Sequence, residues 1–278
     1  MAGLVLEGGT MRPIFSAGVM DALLEEGIMF PYCIGVSAGA CEAASYLSKQ
    51  FKRNLAILVN YRNDPRYLGL RNYFRCKSMF GLDFVFDEIP NKLLPYDLAT
   101  YQQYKGRYLI GVTNAKTGQA EYKDGMHDDE KWSNFRATCA IPLYFPAIPI
   151  DGTLYYDGGI SDPIPIRKAI TDGNEKNLII LTQPKGYRKT LTKQNKAAAK
   201  LLKRRYPGME RALLERHLLY NDTIQFCEEL EQAGKAVIFR PEYKLESFEK
   251  NIKQLEANWQ HGYDMAKQRM SEIKKLFA

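Results

Sequence analysis

Residues 29–47 read MFPYCIGVSAGACEAASYL, and the fold turns on them. An apolar run, Met29 to Ile34, leads into Gly35-Val36-Ser37-Ala38-Gly39, and small residues follow. That order predicts strand, tight turn and helix, with a serine at the apex. Such a turn pushes the Ser37 hydroxyl out of the fold, and Gly35 and Gly39 keep side chains from crowding it. A helix starting at Ala38 aims free N–H groups and its positive dipole end at the same point, where an oxyanion would form. The five residues alone also fit an ordinary glycine-bearing βα turn. The strand before them and the helix after them favour a nucleophile.

On the N-terminal side, Gly3 to Leu6 reads as a short buried strand. Glu7-Gly8-Gly9-Thr10-Met11-Arg12-Pro13 is a loop, and Ile14 to Glu26 an amphipathic helix stopped by Gly27. The opening β-loop-α-β-turn-α predicts a mostly parallel sheet wrapped by helices. On the C-terminal side, Lys49 to Lys77 reads as a basic, aromatic helix-and-loop region and Asp87 to Pro90 as a turn. Arg107 to Asn114 reads as a strand with a hairpin partner at Gln119 to Tyr122. Ser133 to Ala140 reads as a short helix. Ile141 to Ile150, with three prolines, reads as an extended wall segment rather than a central strand. Leu154 to Tyr156 is a strand that delivers Asp157-Gly158-Gly159, and Leu178 to Leu181 and Ala236 to Phe239 are further strands. Helices are expected from about Ile166, over Leu191–Leu219 with a break at Pro207-Gly208, over Asp222–Ala233 and over Phe248–Leu276. No repeat or linker divides the chain, so residues 1–278 are read as one domain.

The 278 residues suffice for a sizeable core, and 45 % hydrophobic with 26 % charged residues is ordinary for a soluble globular protein. No apolar run approaches a membrane span, and the start lacks the pattern of a secretory signal. Five cysteines without paired spacing (Cys33, Cys41, Cys76, Cys139, Cys227) point to reduced thiols and a reducing, cytoplasmic setting. The net charge is +7, but Lys185 to His217 holds eleven Lys/Arg against Glu210 and Glu215. That helical segment either is a solvated face or docks on an anionic membrane through Lys185 to Arg216. No nucleic-acid recognition module accompanies it, so no nucleic-acid partner is expected.

A serine hydroxyl needs a base to take its proton. None of the three histidines has an inviting context: His127 lies in a polar run, His217 ends the basic stretch and His261 sits inside the last helix. Asp157, at a strand end and followed by two glycines, can take the proton directly. The alternative for it is a plain Asp-Gly turn. The loop Gly8-Gly9-Thr10 follows the first strand, so it opens on the same sheet edge as the Ser37 turn. Its N–H groups, with that of Ala38, can hold a developing negative charge. A phosphate loop is excluded because no Gly-Lys-Ser/Thr follows, and a dinucleotide loop because the spacing is not G-x-G-x-x-G. No pair of clusters suits a metal.

Glu7 to Arg12, Gly35 to Gly39 and Asp157 to Gly159, in this order, resemble the patatin-like phospholipase family. Thr138 to Pro142 with Phe145-Pro146, Tyr206-Pro207-Gly208 and Gly262-Tyr263 look like its bacterial members. The resemblance spans nearly the whole chain. It implies a three-layer α/β/α fold, a Ser–Asp dyad and hydrolysis of lipid acyl esters without a metal or other cofactor. By position Ser37 matches the nucleophile and Asp157 the base, with Gly158 and Gly159 beside it, and Gly8 to Arg12 matches the oxyanion loop. Arg12 braces the loop or approaches a headgroup. The family loop has a third glycine where this chain has Thr10 and a final glycine where it has Pro13. A β-branched Thr10 at positive φ would carry strain of roughly 1–3 kcal/mol, and Pro13 has no N–H to donate. Two further readings stay open: a triad with His261 as base, and a silent lipid-binding or regulatory protein on the same scaffold.

Overall fold

A computed structural model describes residues 1–69, 72–74 and 78–277. The chain opens with β1 (Ala2–Leu6), α1 (Ile14–Glu25), β2 (Tyr32–Val36), α2 (Ala38–Leu47) and α3 (Arg53–Tyr61). The expected peripheral region over Lys49–Lys77 contains α3. Positions 70, 71 and 75–77, with Cys76, lie outside the described residues. A wide-turned π-helix covers Phe84–Leu93, followed by α4 (Leu98–Gln102), β3 (Arg107–Asn114), β4 (Ala120–Asp124), α5 (Ser133–Thr138), β5 (Ile148–Ile150) and β6 (Thr153–Asp157). After a single turn at Gly158–Ile160 come α6 (Ile166–Thr171), β7 (Lys176–Ile180), α7 (Lys193–Leu202) and α8 (Pro207–Gln232). The chain closes with β8 (Ala236–Phe239), α9 (Ile252–Gln268) and α10 (Met270–Lys274).

The strands make one sheet of order β5-β6-β3-β2-β1-β7-β8, with β4 also paired to β3. From β3 to β8 all neighbours run parallel, and β4, β5 and β6 join antiparallel at the other end. Side chains alternate across it. Leu4, Leu6 and Cys33 face a layer made by α1, α2 and α9, while Val5, Ile34 and Ile179 face Ile166 of α6 and Tyr220, Ile224 and Cys227 of α8. The fold is therefore a three-layer α/β/α sandwich on a mostly parallel sheet. Because β1 and β2 are parallel neighbours with Leu6 opposite Gly35, the loops after both open on one edge.

Three local expectations need correction. Asp87 to Pro90 is no turn but part of the π-helix, whose wide turns tolerate Pro90 inside them. The helical break expected at Pro207-Gly208 falls just before it, over residues 203–206, and Pro207 stands at the first position of α8, where its missing N–H costs nothing. Helix α8 then runs unbroken to Gln232, across the gap expected between Leu219 and Asp222. The last helix, expected over Phe248–Leu276, is capped by Asn251, whose side chain accepts the Lys253 N–H, and is interrupted at Arg269. Only Ile148–Ile150 of the proline-rich wall segment is strand, at the sheet edge where Pro149 is tolerated. Among the described residues no helix is long and apolar enough to cross a membrane.

Candidate active site

Ser37 follows β2 directly and caps α2, with φ 54°. This is left-handed backbone for a residue with a side chain, and costs about 1–3 kcal/mol. Its neighbours impose it. The Ser37 N–H donates to Thr138 Oγ1 at 2.8 Å, and Thr138 Oγ1 donates to Gly111 O at 2.6 Å. Gly8 presses on the other side: a Cβ there would stand 2.7 Å from Ser37 Cβ and 2.9 Å from Val36 O. Only glycine admits that approach.

Asp157 ends β6, opposite Val112 of β3. Gly158 lets β6 turn immediately, since a Cβ there would lie 2.1 Å from Gly111 O. Ser37 Oγ donates to Asp157 Oδ2 at 2.7 Å, and Asp157 Oδ1 accepts the Gly159 N–H at 2.7 Å. Both side chains are nearly enclosed, Ser37 7 % and Asp157 6 % exposed. Burial raises the Asp157 carboxyl above its ordinary value, which makes it a stronger base once ionised. The bonds from Ser37 and Gly159 and the charges of Arg216 and Lys189 hold it back.

The loop after β1 carries the remaining donors. Among the described residues the N–H groups of Gly9, Thr10 and Ala38 make no hydrogen bond to the protein. Thr10 has φ 60°, the strained geometry anticipated for a β-branched residue at this position. Pro13 lies outside this set, as the residue preceding α1. Arg12 braces the loop: Nε donates to Thr182 Oγ1 at 3.3 Å and Nη1 to Ser247 Oγ, and Thr182 Oγ1 donates to Gly8 O at 3.1 Å. Gly35 and Gly39 allow the turn to close on itself and on Glu7 O.

Ser37 sits where two spaces meet. One is an apolar pocket of about 560 Å³ walled by Tyr67, Phe80, Val85, Phe86 and Phe145, which continues towards Tyr96 and Trp132. The other is a polar cleft of about 1060 Å³, open to solvent, that includes Glu7, Arg12, Asp157, Lys189 and Arg216. Thus Ile141 to Phe145, and not the whole stretch to Ile150, reaches the site. Cys41 and Cys139 Sγ stand 3.4 Å apart as free thiols beside the apolar pocket. The Cys41 bond, and then burial, pushes the Cys139 thiol well up.

The histidines stand apart from this geometry. His261 Nε2 accepts the Glu242 N–H at 3.1 Å between Phe15 and Tyr243, and His127 pairs with Asp124 in the open. Among the described residues no cluster suits a metal. The sequence gives Glu7 and Thr138 no site role of their own, and Lys189 and Arg216 only a share in the basic run expected at an anionic membrane. Glu7 and Thr138 lie within the stretches that resemble the family, which is a usable signal. Lys189 and Arg216 were hidden in a basic run, and the other nine cations of that run are exposed.

Comparison with known proteins adds an independent line. The family model of patatin-like phospholipases matches residues 4–170, which hold β1, the Ser37 turn and Asp157, and a model of a domain of unknown function matches residues 206–278. The uncharacterized protein YjjU of Escherichia coli is 28 % identical over 189 residues, 65 % of this chain and 52 % of that protein. The probable lipid hydrolase 463L of Invertebrate iridescent virus 6 is 25 % identical over 63 % of this chain and 65 % of its own length. Lysophospholipase nte1 of Aspergillus niger is 24 % identical over 59 % of this chain but only 11 % of its own length. The match thus spans about half of YjjU and a small part of nte1. The crystal structure of VipD from Legionella pneumophila overlays with a TM-score of 0.48 at 14 % identity, covering 96 % of this chain and 66 % of that one. With more than half of the chain inside one family's model, the chain belongs to the patatin-like phospholipase family.

Proposed function

We propose that this protein is a lipid hydrolase working as a serine acyl hydrolase, with Ser37 as nucleophile and Asp157 as base. The observation that carries this reading is the 2.7 Å bond from Ser37 Oγ to Asp157 Oδ2 at the junction of an apolar and a polar space. Membership of the family, and relatives named as a lipid hydrolase and a lysophospholipase, support the substrate class.

In this mechanism the acyl chain lies in the apolar pocket. Asp157 takes the Ser37 proton as Oγ bonds to the ester carbonyl carbon. The carbonyl oxygen becomes an oxyanion held by the N–H groups of Gly9, Thr10 and Ala38, with Gly8 giving room. The C–O bond to the alcohol then breaks, and Asp157 returns the proton to the leaving oxygen. A water molecule, deprotonated by Asp157, hydrolyses the acyl-Ser37 ester and restores the hydroxyl. No cofactor enters any step. Residues 1–278 act as one unit, and the exposed cations between Lys185 and Arg211 rest on anionic membrane.

The test is labelling with a fluorophosphonate, read by intact mass. One adduct on the wild type, lost in Ser37→Ala and in Asp157→Asn, is expected. An adduct that survives Asp157→Asn and vanishes in His261→Ala would move the base to the histidine. No adduct, with or without vesicles, would replace catalysis by lipid binding on the same scaffold.

A further inference from the structure

The polar cleft beside Ser37 holds three cations, Arg12, Lys189 and Arg216, against two carboxylates, Glu7 and Asp157. Their engagement differs. Arg12 spends Nε and Nη1 on bracing its loop. Arg216 spends only Nε, which donates to Gly159 O at 2.5 Å, and its two terminal nitrogens donate to nothing among the described residues. Lys189 is less engaged still. Its side chain is 12 % accessible, yet Nζ stands 4.0 Å from Glu7 Oε1, beyond hydrogen-bond distance, and 3.5 Å above the centre of the Tyr220 ring. It donates no side-chain hydrogen bond among the described residues. A lysine kept only to neutralise Glu7 would close that gap. Glu7 instead accepts the Thr182 N–H through Oε2, and Oε1 has no hydrogen-bond partner.

Two cations have thus been drawn out of water to the wall of a cleft, with donors left over. Burial and then the neighbouring Arg216 push Lys189 well below its ordinary pKa, and an oxyanion in the cleft would reverse that. A phosphate monoester suits the pair: it brings up to two charges and three acceptor oxygens to a guanidinium fork and a point ammonium. A choline or ethanolamine headgroup would bring a cation against Lys189 and Arg216, and plain glycerol would leave both unfilled.

We propose that Lys189 and Arg216 form a headgroup subsite for a phosphate monoester, so that the site prefers acyl esters of glycerol phosphate to choline-bearing or uncharged acylglycerols. The assignment rests on the hydrolase reading of Ser37. The apolar pocket takes the acyl chain, and the phosphate lies on the opposite side of the nucleophile.

The test is kcat/KM on three monoacyl substrates of one chain length: acylglycerol phosphate, acylglycerophosphocholine and acylglycerol. Wild type is expected to favour the first by about tenfold or more, the usual worth of a charged hydrogen bond, and Lys189→Gln and Arg216→Gln to lose that ratio. Reading the ratio separates headgroup binding from a general loss through Gly159 and Asp157. A wild-type ratio near one, or a ratio that survives both substitutions, overturns the proposal. Glycerol 3-phosphate must also compete better than inorganic phosphate; the reverse order marks a free-anion site and overturns the headgroup assignment. Should the variants not fold, the Ser37→Ala protein decides by calorimetry: heat with glycerol 3-phosphate and none with glycerophosphocholine supports the subsite, and no heat with either overturns it. Binding of glycerol 3-phosphate without turnover of any ester faults the hydrolase reading and leaves the subsite standing.

Discussion

Ser37 and Thr10, where the two spaces meet, hold side chains at positive φ, 54° and 60°. The strain has different standing at each. At Ser37 it points the hydroxyl at Asp157, as the proposed nucleophile needs, and the Thr138 hydroxyl holds the backbone in place. At Thr10 only the N–H is needed, and glycine offers the same N–H without the clash. Thr10→Gly is therefore expected to stabilise the fold by about 1 kcal/mol, raising the melting temperature by about 2–4 °C while fluorophosphonate labelling persists. Asp157 shows the opposite trade. Its folded pKa is raised by burial above 3.8, so the folded chain binds that proton more tightly than the unfolded one. The stability it contributes is complete below its ordinary pKa and is lost as pH rises through the folded value. Asp157→Asn removes that loss and keeps an acceptor for the Gly159 N–H. It should melt higher than wild type at pH 7, with the gap closing towards pH 4, and hydrolyse nothing. Scanning calorimetry at both pH values checks the sign. The wild-type kcat/KM should fall on the acid side at a pH above the ordinary aspartate range.

At the scale of elements, the crossing of α1 and α9 decides the packing of one whole face. A Cβ at Gly18 would lie 2.0 Å from Trp259 O, and one at Gly262 2.0 Å from Phe15 O. Backbone meets backbone at both points, so no side chain can yield. Trp259 Nε1 donates to the buried Asp21 at 2.7 Å and fixes the pair. Gly262→Ala should cost roughly 1–3 kcal/mol, read as a lower urea midpoint with the slope unchanged. Elements were also what the sequence displayed best. β3 and the turns at Ser37 and Asp157 are local, so spacing and punctuation reveal them. The meeting of Ser37 with Asp157 at 2.7 Å joins residues 120 apart; the strand end and the two glycines after Asp157 suggest it, and the family resemblance supports it, but no local pattern gives the contact itself. Pro207 was ambiguous because a proline that starts a helix and one that breaks it look alike in sequence. The roles of Lys189 and Arg216 were illegible because charge counts do not say which way a side chain turns.

For the whole molecule, charge is the property that matters. Nine of the eleven cations between Lys185 and Arg216 are exposed, on α7, the start of α8 and the segments before them. If they rest on a membrane, binding to vesicles containing anionic lipid should fall steeply between about 50 and 500 mM salt, as screening shortens the reach of exposed charges, and vanish on neutral vesicles. Salt-independent binding would remove the role. The two inward cations make the same segment serve the site.

Arg216 reaches Gly159 from the middle of α8, and that bond has a consequence for how the protein is made. Ser37 and Asp157 leave the ribosome first. Lys189, Arg216 and the helix that covers α1 follow, and at ordinary elongation rates the stretch from Asp157 to Arg216 alone takes about 3–12 s. During that interval the Ser37 turn lacks one wall of the cleft, and the groove for Trp259 is bare. Translation order is therefore expected to act as a timer: if Lys189 and Arg216 hold a headgroup as proposed, that contact forms after the segments that carry Ser37 and Asp157.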